Sequence, residues 1–207
     1  MQHSFKKSLS KEAQFIKEKK HLPVLKQLNK ELVENFDLKL DHNTYQEYYG
    51  NNKSDKEKNK LGIDADCNLI HLSTGKVLPA FALDYKIRFK AYYPLDFLAE
   101  TVSVDYNNTP GWAVDPKKKT HAYLYIIEPI KKAIFVSHGE LKKAIKEGKF
   151  KDIKEKKAPN RGYNTISIPI KIDRLKKECP HTLEFKYDKI IQWWLYECIP
   201  FSWRWEC

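Results

Sequence analysis

The chain has 207 residues, 42% hydrophobic and 31% charged, a balance that is globular rather than disordered and suffices for a full-sized core. Its 38 basic against 27 acidic side chains give a formal net charge of +11, which favours polyanionic partners, although a lysine-rich proteome would produce the same excess without one. Cys67, Cys179, Cys198 and Cys207 form no C-x-x-C pair and the histidines no H-E-x-x-H, which argues against a zinc site or a disulfide framework. Neither a signal peptide nor an apolar run long enough to span a bilayer is readable, so a soluble, cytoplasmic protein is expected.

In chain order, residues 9–36 space Phe15, Ile16, Leu22, Leu25, Leu28 and Leu32 as helical faces, and Pro23 divides them into two helices. Residues 50–60 offer nothing to bury and read as an exposed loop. Residues 1–60 are thus expected to form a helical N-terminal part. Within it Glu47, after Tyr45 and Gln46, is either a helix-borne acid or part of a solvated helix face. Strands follow at about 62–70 and 77–89, joined by the turn 73–76, with Pro79 marking a bulge or an edge. Further strands are expected near 98–104, 121–127, 134–136 and 165–170. Ser137-His138-Gly139-Glu140 has capping-box spacing and opens a helix to about Lys146, closed by Gly148. Residues 149–157 read as linker or solvated helix, and 171–178 as a short helix.

Residues 183–199 can form a helix. Trp193, Trp194 and Tyr196 make it apolar all round, so it is expected to be buried on more than one face. It either closes the chain's own core, as do Trp203 and Trp205 beyond it, or forms a homodimer contact. The whole predicts one α/β domain over residues 1–207, with a central mixed sheet flanked by helices. Residues 61–175 are its core and 176–207 an aromatic C-terminal element.

The most regular stretch is 81–90, where Phe81, Leu83, Tyr85, Ile87 and Phe89 alternate with Ala82, Asp84, Lys86, Arg88 and Lys90. Period-2 alternation of this length marks a strand with one face on the core, and it places Asp84 and Lys86 together on the other, open face. Antiparallel return about the turn brings residues 64–66 opposite 84–86 within one or two positions. Two acids beside a lysine on adjacent strands can hold a divalent cation and orient a water, which suits phosphodiester hydrolysis; an oxygen-rich pocket of this kind suits Mg²⁺. The plainer alternative is a surface salt bridge between Asp84 and Lys86. Glu100 is either an auxiliary ligand or a charge at a strand end. Trp112 plugs the core beneath its loop or stacks on a base, and Lys117, Lys118 and Lys119 are solvated or touch phosphates.

Gly62-Ile63-Asp64 followed by Asp84-Tyr85-Lys86 on an alternating strand resembles the PD-(D/E)xK nuclease superfamily, the restriction-endonuclease-like fold. The runs 96–100, 109–112, 122–125, 163–165 and 168–170 are similar to its small phage and bacterial members, and the likeness covers roughly residues 60–175. The resemblance implies a Mg²⁺-dependent endonuclease acting on DNA, most readily duplex, with Mn²⁺ as a possible substitute. Asp64 and Asp84 would carry the metal, Lys86 would assist the attacking water, and Glu100 would stand beside them. Ile63 replaces the signature proline, His121 stands where the family has an aspartate, and Asp66 rivals Asp64. The competing class is a catalytically silent protein of the same fold that binds nucleic acid or regulates a partner. RNA is the third reading of the substrate.

Overall fold

A computed structural model describes residues 5–49, 52–90 and 96–188. Helices α1 (Phe5–Lys17) and α2 (Leu22–Phe36) come first, then β1 (Leu38–Glu47), α3 (Lys53–Lys60), β2 (Ala65–His71), β3 (Val77–Arg88), β4 (Asp96–Val104) and β5 (Thr109–Pro110). After these come β6 (Ala122–Ile127), β7 (Lys132–Ser137), α4 (His138–Lys146), β8 (Lys156–Asn160), β9 (Tyr163–Lys171), α5 (Ile172–Glu178) and β10 (Leu183–Lys186). The architecture is mixed α/β with two sheets. The central one has the order β1-β2-β3-β6-β7-β10, and the second has β5-β4-β9-β8. β3 and β6 pair in parallel, whereas every other neighbouring pair is antiparallel.

The alternation in β3 has a different consequence from the one expected. Leu83, Tyr85 and Ile87 enter a cluster under α2 with Leu25, Leu28 and Leu32. The face carrying Asp84 and Lys86 is also covered, because the second sheet and α4 close over it. Phe97, Tyr123, Tyr125 and Val136 belong to that second cluster, and Asp84 is 1% exposed. The open face predicted for Asp84 is therefore a seam between two sheets. A strand interior to a two-layered core is buried on both faces whatever its polar content, and polar groups there must find partners.

The N-terminal boundary near Pro23 is present: Pro23 occupies the first turn of α2, where its missing N–H costs nothing. Pro79 does sit at a bulge. Cys67 pairs with Phe81 but Leu69 with Leu78, so β3 carries an extra residue there, and Ala80 takes φ 53°. β6 joins only from Leu83 onward, which leaves Pro79 without a neighbour on that side to miss its N–H.

Four expectations are corrected. Residues 38–47 are a strand, so Glu47 is not helix-borne and residues 1–60 are not wholly helical. The segment read as an exposed loop contains α3, which buries no residue; the Asn52 side chain caps it by accepting from the Asp55 N–H at 2.8 Å, and Asn59 donates to the Tyr48 carbonyl at 2.8 Å. The stretch 149–157 ends in edge strand β8, where lysines and Pro159 suit an unpaired rim. Residues 183–186 are β10, paired with β7, rather than the start of a helix. The tryptophans beyond, and with them the choice between core and dimer contact, lie outside the described residues.

Candidate active site

One rung of the central sheet organises the polar groups of the seam. Ala65 pairs with Leu83, so Asp64 falls opposite Asp84, and Asp84 pairs in turn with Tyr123. The Asp64 N–H donates to the Leu83 carbonyl at 2.9 Å, and the Tyr85 N–H donates to Asp64 Oδ2 at 2.8 Å. The β3 backbone thus fixes the first acid against the second. Lys86, one pleat along, donates from Nζ to Asp84 Oδ1 at 2.5 Å. Asp84 Oδ2 is buried and accepts from no amide, ammonium or hydroxyl group.

The electrostatics follow from this crowding. Burial, with the Asp84 charge added, pushes the Asp64 carboxyl up to about 8 against the pull of Lys86, and the two carboxyls lie within hydrogen-bonding reach. Burial alone would lower the Lys86 ammonium, but Asp84 and Asp64 outweigh it and hold Lys86 above its ordinary value. Asp66, the rival acid, stands opposite Ala82 and is engaged elsewhere: Tyr48 donates its hydroxyl to it at 2.9 Å and Lys58 its ammonium at 3.0 Å. The structure therefore brings Asp64, not Asp66, to Asp84.

Glu100 lies at an irregularity of β4 and does face Lys86 across a cavity of about 190 Å³ that Glu12, Arg88, Trp112 and Tyr125 also line. Its carboxylate accepts from the Ser103 hydroxyl and the Trp112 N–H, and burial raises it above the usual range. Gly111 lets the loop run against it, since a Cβ there would come within 2.3 Å of the Glu100 carbonyl oxygen. Trp112 is a core plug: its ring meets Phe97 and Tyr123 edge-on and its carbonyl accepts from the Tyr123 hydroxyl at 2.6 Å. The Lys86 ammonium nevertheless stands 5.4 Å from the Trp112 ring centre, so the plug also walls the site.

The acid that a helix brings to this cavity is Glu12, on α1. Burial lifts it to about 7, with Asp84 adding and Lys86 opposing. Its signal was present in the sequence: Glu12 stands three and four positions before the buried Phe15 and Ile16, a carboxylate on the apolar side of a helix. Glu47 instead serves a separate buried network. It accepts from Tyr45 at 3.0 Å and from Lys19 at 3.2 Å and pairs at 2.5 Å with His21, which is fully buried. His121 is likewise structural, accepting from the Ala82 N–H at 3.0 Å.

Among the described residues, no group of three or more His, Cys, Asp and Glu side chains is gathered closely enough to hold a metal alone. Asp64 and Asp84 offer two carboxylates, and the buried, undonated Asp84 Oδ2 fits a cation that takes its remaining ligands from water, as Mg²⁺ does. Among the described residues no helix is long and apolar enough to cross a membrane. No family model, characterised protein or solved structure matches the chain.

Proposed function

We propose that the protein is a Mg²⁺-dependent endonuclease that hydrolyses phosphodiester bonds in DNA, a PD-(D/E)xK-type enzyme. The observation that carries this reading is the pressing together of Asp64 and Asp84 on one rung, with an undonated carboxylate oxygen between sheets and Lys86 at 2.5 Å. Two buried like charges are unfavourable unless a proton or a cation joins them, and a site that only stabilised the fold would gain by replacing one. The order of elements agrees with the resemblance: an acid entering one strand, D-x-K on its antiparallel neighbour, and a further strand parallel to the second.

In this reading Asp64 and Asp84 hold the cation, with Mn²⁺ as a possible substitute. The bound cation supplies Lewis-acid stabilisation of the phosphoryl oxygens and a more acidic water. The chain does the rest. The Tyr85 N–H orients Asp64, Asp84 fixes the Lys86 ammonium, and Lys86 directs a water and meets the charge that develops on the phosphorane. Glu12 and Glu100 line the cavity beside Lys86; Glu12 carries a proton to about pH 7 and can exchange it with water there.

The test is a digest of supercoiled plasmid with Mg²⁺, with and without EDTA, run beside single-stranded DNA and RNA of similar length. Cleavage of DNA that EDTA stops is expected. Cleavage of RNA alone would correct the substrate. Binding without cleavage in Mg²⁺ and Mn²⁺ would replace the enzyme by a nucleic-acid-binding protein of the same design.

A further inference from the structure

We propose that residues 117–119, laid against the end of α3, form the phosphate-binding lip of the Asp64–Asp84 site, with Lys118 contacting a phosphate next to the one attacked. The inference rests on the nuclease reading and assigns the surface along which the polyanion enters. The strap is fixed in place: the Lys119 N–H donates to the Leu61 carbonyl at 2.8 Å, and the Lys117 N–H to Asp115 Oδ1 at 2.9 Å. Lys118 then lies over Gly62. A Cβ on Gly62 would fall 2.7 Å from Lys118 Cδ and 3.1 Å from Asp84 Oδ2. The lysine stem and the undonated carboxylate oxygen thus meet across a position that has no side chain and whose φ of 71° favours glycine.

The Lys118 ammonium has no carboxylate within 4 Å among the described residues. Its one hydrogen bond there is to the Lys60 carbonyl, long at 3.3 Å, and its charge is felt by Glu100. Lys53, Lys56, Lys60, Lys117 and Lys119 likewise make no ion pair among the described residues and are exposed. Asp55 and Glu57 on α3 and Asp115 on the strap are the acids among them, and Lys58 is spent on Asp66. α3 buries none of its own residues yet is capped, and tied to Tyr48 and Asp66. A helix that adds nothing to the core but is pinned at this spot keeps its ammonium groups in a fixed place beside the strap, which suits a phosphate backbone.

The experiment uses the full chain carrying Asp84→Asn, so that nothing is cut, and a fluorescein-labelled duplex oligonucleotide read by anisotropy across a salt series. Lys118→Ala is expected to weaken binding to unrelated sequences alike and to make the plot of log K against log salt shallower by about 1. The triple change of Lys117, Lys118 and Lys119 to Ala is expected to flatten it by roughly 2 to 3. Lys118→Arg, which keeps charge and reach, leaves the slope as it was. Alanine at Lys143, Lys146 and Lys149, around α4, removes the same net charge and is expected to leave the slope unchanged. Equal slopes for the strap triple and this control would overturn the inference while leaving the nuclease reading intact. No binding of any nucleic acid by the parent protein at low salt would remove both, and the parent digest identifies that case.

Discussion

Asp64 is where the account can be broken most easily by a single atom. Asp84→Asn and Asp64→Asn are each expected to reduce cleavage below detection with an unchanged circular dichroism spectrum, because each removes a cation-bearing charge without changing shape. Asp66→Asn should remain active, since that carboxylate is held by Tyr48 and Lys58 and stands opposite Ala82. An inactive Asp66→Asn beside an active Asp64→Asn would reverse the assignment. The Asp64 proton gives a second handle. Its carboxyl stays protonated to about 8 in the folded chain, against an ordinary 3.8, so between those values the folded state holds the extra proton. Stability therefore falls as pH rises through that window. A cation held by the two acids would displace the proton, so the rise in melting temperature with Mg²⁺ should grow from pH 5.5 upward and level off above about pH 8. A Mg²⁺ shift independent of pH would contradict the pairing of the two acids. Alternation alone made Asp84 and Lys86 legible as one face of a strand. It could not show that the face is buried, because the covering sheet is remote in sequence.

Elements with a hydrophobic period were readable, and those held by other means were not. β3, β6, β7 and α2 declare themselves by what they bury. α3 has no apolar face, and its cap and its tether to Tyr48 involve polar residues that equally suit a loop. β8 is an edge of lysines and a proline, held by the β9 ladder and by the ion pair of Lys156 with Asp96 at 3.1 Å. The capping-box reading of α4 was half right: the Ser137 hydroxyl accepts from the Glu140 N–H at 3.4 Å, but the Glu140 carboxylate turns to His181 instead of the cap. At β1 the correction can be tested. Glu47 is tied to His21, Tyr45 and Lys19; burial works against its charge, yet the His21 bond and charge bring it to about 2. Its contribution to stability is thus present above its ordinary range and is lost as pH falls toward 2. Glu47→Gln should cost roughly 1.5–3 kcal/mol in urea unfolding and leave cleavage by the folded protein unaltered. A Glu47→Gln variant that is stable but inactive would return Glu47 to the site.

At the scale of the molecule, the site is a seam. The central sheet supplies Asp64, Asp84 and Lys86, the second sheet supplies Glu100, α1 supplies Glu12, and the loop around Trp112 closes the wall. No single sequence window contains this arrangement: strand pairing made the neighbourhood of Asp64, Asp84 and Lys86 readable, but not the docking of α1 that brings Glu12 to the cavity. On the proposed reading, a net charge of +11 around an acidic pocket has a use: lysines would gather a polyanion, and the buried carboxylates would hold the cation for its hydrolysis. The most direct measurement is the conversion of supercoiled plasmid by wild-type protein and by Asp84→Asn, each with Mg²⁺ and with EDTA. Nicked or linear DNA should appear only with wild-type protein and Mg²⁺, while Asp84→Asn still retards the DNA on a gel. Equal cutting by Asp84→Asn, or cutting that persists in EDTA, would contradict the account.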